Sequence, residues 1–123
     1  VGNLVYVSGH GPRRPDGTYV VGRVPGVCSE EDAYAAAQLV GLGCLASLKA
    51  EIGDLDRVKQ VVKVLGMVNA DPSFANHPTV INGFSDLMVE AFGDSGRAAR
   101  SAVGMGSLPG DIPVEVEMIV EIA

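Results

Sequence analysis

The sequence predicts an α+β domain in which two helices cover one face of a single β-sheet. Strand-like and helix-like segments follow one another in the order ββαβαββ, and only two segments have helical spacing. The 123 residues are enough for one hydrophobic core but too few for two. We therefore interpret residues 1–123 as a single domain. Because the chain begins at Val1, inside a strand-like pattern and without Met, we expect a native N-terminal segment to be missing.

The first two strands are predicted to form a β-hairpin. Side chains alternate in direction along "NLVYVSG", and "GHGPRRPDG" supplies turn residues before a second extended stretch, "TYVVGRV".

Two helices are predicted from the spacing of apolar residues and from the capping residues. In "SEEDAYAAAQLVGLGCLASLKAEIG", Ser29 is a natural N-cap and Gly53 ends the helix. In "NHPTVINGFSDLMVEAFG", Asn76 or His77 caps the helix and Gly93 closes it. The residues predicted to face the sheet are Ala33, Ala36, Ala37, Val40, Cys44 and Leu48 on the first helix, and Val80 or Ile81, Phe84, Leu87, Met88, Ala91 and Phe92 on the second.

The remaining three strands are predicted in "DRVKQVVKVLGMVNA", where Val62, Val64 and Val68 share a face, and in "ARSAVGMGSL" and "PVEVEMIVEIA", which a "PGD" turn joins. With both helices on one face, the other face of the sheet is uncovered. Pairing with sister subunits would bury it, so we predict a homo-oligomer. The residues expected on this uncovered face are Gly104, Gly106, Val114, Val116 and Met118.

The composition limits which classes of binding partner and which cellular compartment we expect for the protein. Hydrophobic residues make up 47% of the chain and the mean hydropathy is +0.27, but the apolar runs are too short to predict a transmembrane helix. A net charge of −6 with nine Lys and Arg argues against nucleic acid and membrane surfaces as partners. Cys28 and Cys44 would lie about 24 Å apart along a helix, too far to form a disulfide, which favours a reducing, cytoplasmic compartment.

Arg100 stands at the head of a strand of small and apolar residues, where a guanidinium is costly to bury without an anion beside it. One interpretation is a structural salt bridge to a neighbouring Asp or Glu. The other is a bidentate clamp for a substrate carboxylate, because the planar guanidinium matches two oxygens at once. Ser101 points to the opposite face of the strand, so only its backbone would line the same pocket.

Glu115 and Glu117 share one face of the last strand. They are interpreted either as the polar face of a half-exposed strand or as the source of a carboxylate that orients a water or exchanges a proton near Arg100. Ser8 and His10 lie two residues apart, which suggests either a nucleophile and its base or a His that bonds within a turn. His77 is interpreted as a helix entry or as a functional residue.

Signatures of cofactors and metals are weak. "GLGCLA" matches a dinucleotide-binding fingerprint superficially, but it falls in the middle of a helix, where Gly41 and Gly43 favour close packing instead. Two His and two Cys at unrelated spacings do not predict a metal site.

The stretch "AARSAVGMGSLPGDIPVEVEMIVE" resembles the RidA/YjgF family of imine and enamine deaminases, whose pattern is an A-R-S strand, an L-P turn and an E-[IV]-E strand. The similarity continues through "GNLVYVSG", "IGDLDRVKQVVKVLGMV" and "VINGFSDLMVEAFG", over essentially the whole chain. It implies a chorismate-mutase-like fold: a trimer with a central barrel of sheets, helices outside, and three active sites in clefts between subunits.

By matching motif, the resemblance implies that Arg100 binds the carboxylate of a small imino or enamino acid such as 2-aminoacrylate, and that Glu115 lies near the attacking water. It also implies that Gly9 shapes the pocket and that Asn82 lies at the subunit interface. The implied activity is that of a hydrolase resembling 2-iminobutanoate/2-iminopropanoate deaminase. The enamine tautomerises to the imine, water adds, and ammonia leaves to give a 2-keto acid, without metal or organic cofactor. Arg100 and Glu115 are thus the candidate catalytic residues, and Gly9, Asn82, Arg100 and Ser101 the candidate substrate-binding residues.

The sequence departs from the best-known deaminase branch and therefore resembles a divergent branch of the family. Ala102 stands where that branch has Cys, and His10 stands where it has Gln. The N-terminal segment that supplies an aromatic wall to the pocket in that branch is not in this chain. Two functions stay open: an imine-hydrolysing enzyme, and a non-catalytic or regulatory trimer that binds small carboxylates. Endoribonuclease activity, also attached to the family, is disfavoured by the acidic charge.

Overall fold

The computed structural model describes all 123 residues and contains one mixed sheet of four strands, in the order β1-β4-β2-β3, with two helices on one face. β4 pairs antiparallel with both β1 and β2, whereas β3 pairs parallel with β2 and forms an edge of the sheet. The predicted α+β class is confirmed. The elements are β1 (Leu4–His10), α1 (Glu30–Ile52), β2 (Val58–Asn69), α2 (His77–Phe92), β3 (Ala99–Met105) and β4 (Val114–Ile122).

The second strand of the predicted hairpin is not formed, so the sheet has four strands rather than five. Residues 18–24 make only isolated bridges, one of which joins Val24 to Ala70. The segment cannot extend regularly because Gly22 has a φ of 122° and Pro25 follows closely. The loop is instead tied to the end of β2, where the Val24 N–H donates to the Asn69 carbonyl over 2.8 Å.

The boundaries of α1 agree with the predicted caps. The Ser29 hydroxyl accepts a hydrogen bond of 3.1 Å from the Asp32 N–H, and Gly53 ends the helix with a φ of 90°. By length and composition α1 would also pass as a membrane span, but its apolar side belongs to the core of the domain. The predicted stripe is buried, and the buried residues of α1 are Ala33, Ala36, Ala37, Val40, Gly41, Cys44, Leu45, Leu48 and Ile52.

The predicted stripe of α2 is confirmed only in part. Val80, Ile81, Phe84 and Met88 are buried in the core. Leu87 and Phe92 are only half-buried at the margin of the core, where Leu87 lies against Gly41 of α1, and Ala91 is exposed.

Glycines let the elements approach closely. At Gly83 of α2, a Cβ atom would collide with the Tyr34 carbonyl oxygen of α1 and would lie 3.0 Å from the Ala37 Cβ. At Gly66 of β2, a Cβ atom would lie 2.6 Å from a methyl carbon of Ile81. Both positions are therefore closed to larger side chains unless a helix shifts.

A bulge in β2 changes which side chains in the first half of the strand point to the core, compared with the prediction. Val61 pairs with Val120 but Lys63 pairs with Ile119, so Val62 is the extra residue. As a result Val61 and Val64 both point to the core, whereas Val62 is exposed. The alternation that placed Val62 on the face of Val64 and Val68 is interrupted at this point.

The uncovered face of the sheet is also different from the prediction. Val114, Val116 and Met118 are buried beneath the helices, because the most apolar stripe of β4 packs against the most apolar helix faces. Gly104 also faces α2, and Gly106 lies beyond the end of β3. The residues that the uncovered face presents instead include Tyr6, Lys63, Leu65, Met67, Ser101, Val103, Glu115, Glu117 and Ile119.

Substitution of Gly83 by Ala tests the contact between the helices. We expect Gly83→Ala to lower the free energy of unfolding by about 1–3 kcal/mol, because the new methyl group forces α1 and α2 apart. Gly106→Ala is the matched control, since a Cβ there meets nothing within 4 Å. Urea unfolding of both variants measures the difference, and equal stabilities would contradict the packing described above.

Candidate functional site

Arg100 lies on the edge strand β3 with its side chain directed toward α2. Its Nη1 atom donates to the Ser85 hydroxyl over 3.0 Å, and its Nη2 atom donates to the Pro78 carbonyl over 3.4 Å. Both acceptors are neutral. The guanidinium, half-buried between strand and helix, is thus oriented without its charge being compensated.

The structural salt bridge considered for Arg100 is not formed within the chain. The two ion pairs of the chain join Arg23 to Asp71 at 3.3 Å and Arg97 to Asp94 at 3.2 Å. A half-buried guanidinium without a counter-charge favours the binding of an anion. Of the two interpretations that the sequence left open, the geometry therefore favours the anion clamp.

Asn82 shares the helix face that holds Arg100. It lies four residues after Pro78 and three residues before Ser85, a spacing that places all three on one side of α2. Ser101 points the other way, to the uncovered face of the sheet, where the Lys63 ammonium donates to its hydroxyl over 3.4 Å. Asn82 thus lies on the side of α2 that faces Arg100, whereas the Ser101 side chain lies on the opposite face of the sheet.

Glu115 and Gly9 meet in a second place, at the other end of the sheet. The Glu115 carboxylate lies directly against the Gly9 backbone, where any Cβ atom would displace it. The two residues line a cleft of about 410 Å³. The other residues of this cleft are Gly11, Tyr19, Pro109, Gly110 and Ile112.

Sequence reasoning missed Tyr19 and Ser85. Tyr19 was expected on a strand, but in the observed loop its ring lies against Gly11, whose missing side chain makes room for it. Tyr19 therefore supplies an aromatic wall beside Glu115. Ser85 could have been found from its seven-residue spacing from Pro78, which is two turns of helix.

Arg100 and Glu115 do not meet within one chain. In the sheet, Arg100 is in register with Val64, and Glu115 with Met67, so the two lie two strands and three residues apart. This corresponds to a Cα separation of about 14 Å, and the side chains point to opposite faces. A small molecule that touches both residues therefore needs two copies of the chain.

The remaining candidates are placed as follows. The His10 ring does not bond the Ser8 hydroxyl but the Ser8 carbonyl, so the pair considered from the sequence is not formed. His77 begins α2, with its ring edge-on to Phe74 and close to Gly104.

Burial raises the pKa of the Cys44 thiol to about 12, which makes it a poor nucleophile. No group of three or more His, Cys, Asp or Glu side chains is arranged to hold a metal ion.

Comparison with known proteins identifies the family. Residues 1–121 match the model of the family described as "YjgF/chorismate mutase-like, putative endoribonuclease". The chain belongs to this family.

Three relatives show where in the family the chain lies. A protein of unknown function from Agrobacterium tumefaciens, Atu1372, is 43% identical with a TM-score of 0.96, over 99% of this chain and 78% of that chain. Protein TCP17 of Trypanosoma cruzi is 40% identical over 98% of this chain and 76% of its own length. RidA from the Antarctic bacterium Psychrobacter sp. PAMC 21119 is 28% identical with a TM-score of 0.67, over 99% and 83% of the two chains. The chain is thus more similar to the Agrobacterium protein than to this RidA.

Replacement of Arg100 tests whether its charge is unpaired. We expect Arg100→Met to change the free energy of unfolding by less than about 1 kcal/mol, because the variant loses two hydrogen bonds but also an uncompensated charge. Arg23→Met is the comparison, and we expect it to cost about 1–3 kcal/mol because it removes the ion pair with Asp71 and the hydrogen bonds to the Ala70 and Gly106 carbonyls. Urea unfolding distinguishes the two. A larger loss for Arg100→Met than for Arg23→Met would mean that Arg100 is a structural residue.

Proposed function

We propose that the protein hydrolyses reactive 2-imino and 2-enamino acids to 2-keto acids and ammonia, in sites shared between the subunits of a homotrimer. The observation that carries the proposal is the Arg100 guanidinium, held by two neutral acceptors and free of any carboxylate of its own chain. Membership of the YjgF family supports it.

In the proposed mechanism, Arg100 binds the substrate carboxylate through two parallel hydrogen bonds. Asn82, on the same helix face, borders the bound molecule. Glu115 of a neighbouring subunit orients the water that attacks the imine carbon and accepts its proton, and Gly9 allows the carboxylate to lie close to β1. The imine nitrogen takes this proton from Glu115 to give a carbinolamine. Glu115 then transfers the hydroxyl proton to the same nitrogen, the C–N bond breaks, and ammonia leaves as the 2-keto acid forms. Because an imine is already electrophilic, positioning and proton transfer are sufficient for catalysis.

The separation of the two residues supports the proposed assembly. Arg100 faces α2 and Glu115 lies on the uncovered face, so one chain cannot apply both to a small substrate. The uncovered face carries Leu65, Met67 and Ile119 beside Lys63 and Glu117, a mixture of apolar and charged side chains that suits contact with another copy.

A second candidate function is a non-catalytic trimer that binds small carboxylates. It is favoured by Ala102, which lies on the helix-facing side of β3 beside Arg100, where the best-known deaminase branch has Cys. This trimer would use Arg100 but would not need Glu115. Endoribonuclease activity, which the description of the family names, is less well supported because the net charge is −6.

Ammonia release tests the main proposal. With 2-aminoacrylate or 2-iminopropionate generated in situ, we expect the wild type to accelerate release over the spontaneous rate, and Arg100→Ala to lose at least about 100-fold in kcat/KM. Arg97→Ala removes an exposed guanidinium, paired with Asp94, three residues away and should keep full activity. Arg100→Lys should recover little, because an ammonium cannot form two parallel bonds to a carboxylate. If the wild type does not accelerate release, the proposal of an imine-hydrolysing enzyme is wrong. Calorimetry would then support the non-catalytic trimer if the wild type binds pyruvate and Arg100→Ala does not.

Mixed trimers test whether two subunits share a site. Arg100→Ala and Glu115→Ala chains are each expected to be inactive alone. When they are co-expressed, about a quarter of the sites combine an intact Arg100 with an intact Glu115 from the neighbouring chain, so activity should return in part. Sedimentation velocity should show a particle of about 38 kDa, three times the mass of the 12.7 kDa chain. A monomer, or co-expressed chains without activity, would exclude the shared site.

A further inference from the structure

His10 joins the end of β1 to α1 through both nitrogen atoms of its ring. Nδ1 lies 2.6 Å from the Ser8 carbonyl oxygen, and Nε2 lies 2.7 Å from the Ser47 hydroxyl oxygen. Gly43, one helical turn before Ser47, lies beside the ring, since a Cβ atom there would be in van der Waals contact with the His10 Cδ2 atom at 3.5 Å. The imidazole is therefore held in one orientation from two sides.

The two partners determine where the proton of the neutral ring lies. A carbonyl oxygen can only accept a hydrogen bond, so Nδ1 must carry the hydrogen and donate it to Ser8. The Nε2 atom of that tautomer has a free lone pair and accepts the Ser47 hydroxyl hydrogen. This is the hydrogen-bond arrangement of a serine nucleophile with its general base, in which a third group fixes the tautomer.

The pair faces an open cleft of about 650 Å³ between β1 and the second half of α1. Six of the ten residues that line the cleft are hydrophobic, among them Leu4, Val5 and Leu48. Glu51 provides a negative charge one turn after Ser47 and disfavours anionic molecules. Because β1 and β3 are opposite edges of the sheet, the cleft is remote from Arg100.

We propose that Ser47 and His10 form a nucleophilic dyad that accepts acyl groups from small, neutral, activated esters bound in this cleft. The Ser47 oxygen attacks the ester carbonyl carbon while its proton passes to Nε2 of His10. The bond from the carbonyl carbon to the leaving oxygen breaks, the leaving group takes that proton, and an acyl ester remains on Ser47. Water then attacks this ester, His10 accepts the water proton and returns it to the Ser47 oxygen, and a carboxylic acid is released.

Hydrolysis of p-nitrophenyl acetate by the intact chain tests the dyad, together with mass spectrometry of the acetylated peptides. We expect acetylation on Ser47, and a loss of at least about 10-fold in the rate of nitrophenol release in both Ser47→Ala and His10→Gln. The Gln side chain can replace both hydrogen bonds but cannot act as a base, so His10→Gln separates catalysis from a structural role. Thermal unfolding checks that the variant stays folded.

Two controls account for unspecific reaction of the ester with exposed side chains. His77→Gln removes the other His of the chain, and Ser107→Ala removes an exposed Ser that has no His partner. Both should react as fast as the wild type. A rate in His10→Gln equal to that of the wild type, or acetyl groups found on lysines or on His10 rather than on Ser47, would overturn the dyad. Neither result depends on imine hydrolysis, so this proposal and the proposed function can fail separately.

Discussion

The sheet has helices on one face only, and the positions of all candidate residues follow from this asymmetry. Side chains that alternate along a strand are sorted into a covered set beneath α1 and α2 and a set on the other face. Arg100 belongs to the covered set and Glu115 to the other. The two groups that the proposed mechanism applies to one substrate are thus kept apart by the pleat of the sheet, and that mechanism needs a second copy of the chain.

Because Arg100 lies on an edge strand, its side chain is partly buried but its guanidinium can still be reached by an anion. Beneath the middle of a sheet, a guanidinium without a counter-charge would be too costly to desolvate. On β3 its stem packs between strand and helix, and its head reaches Ser85 and Pro78 at the border of the domain, where an anion can approach. The two neutral acceptors orient the fork but leave its charge to be satisfied by a bound molecule.

Local patterns predicted the features of the fold that depend on local interactions. The caps Ser29, Gly53 and Gly93 and the stripe of α1 are where the sequence places them, because capping and helical periodicity involve residues a few positions apart. The bulge at Val62 and the missing second strand depend on which strand becomes the neighbour of which. β4 takes the place beside β1, and that pairing spans more than one hundred residues, so no local pattern reports it.

The same distinction applies to the sites. Family motifs pointed to Arg100, Glu115, Gly9 and Asn82, but the motifs do not say which side of the sheet each residue faces. The spacing of Ser8 and His10 suggested a pair within one strand, whereas the ring bonds Ser47, thirty-seven positions away. A histidine with one nitrogen on a carbonyl and the other on a hydroxyl has a defined tautomer, which sequence spacing cannot indicate. The candidate sites of this chain therefore depend on contacts between elements: Arg100 lies at the β3 edge of the sheet, whereas Gly9 with Glu115 and His10 with Ser47 lie toward the β1 edge.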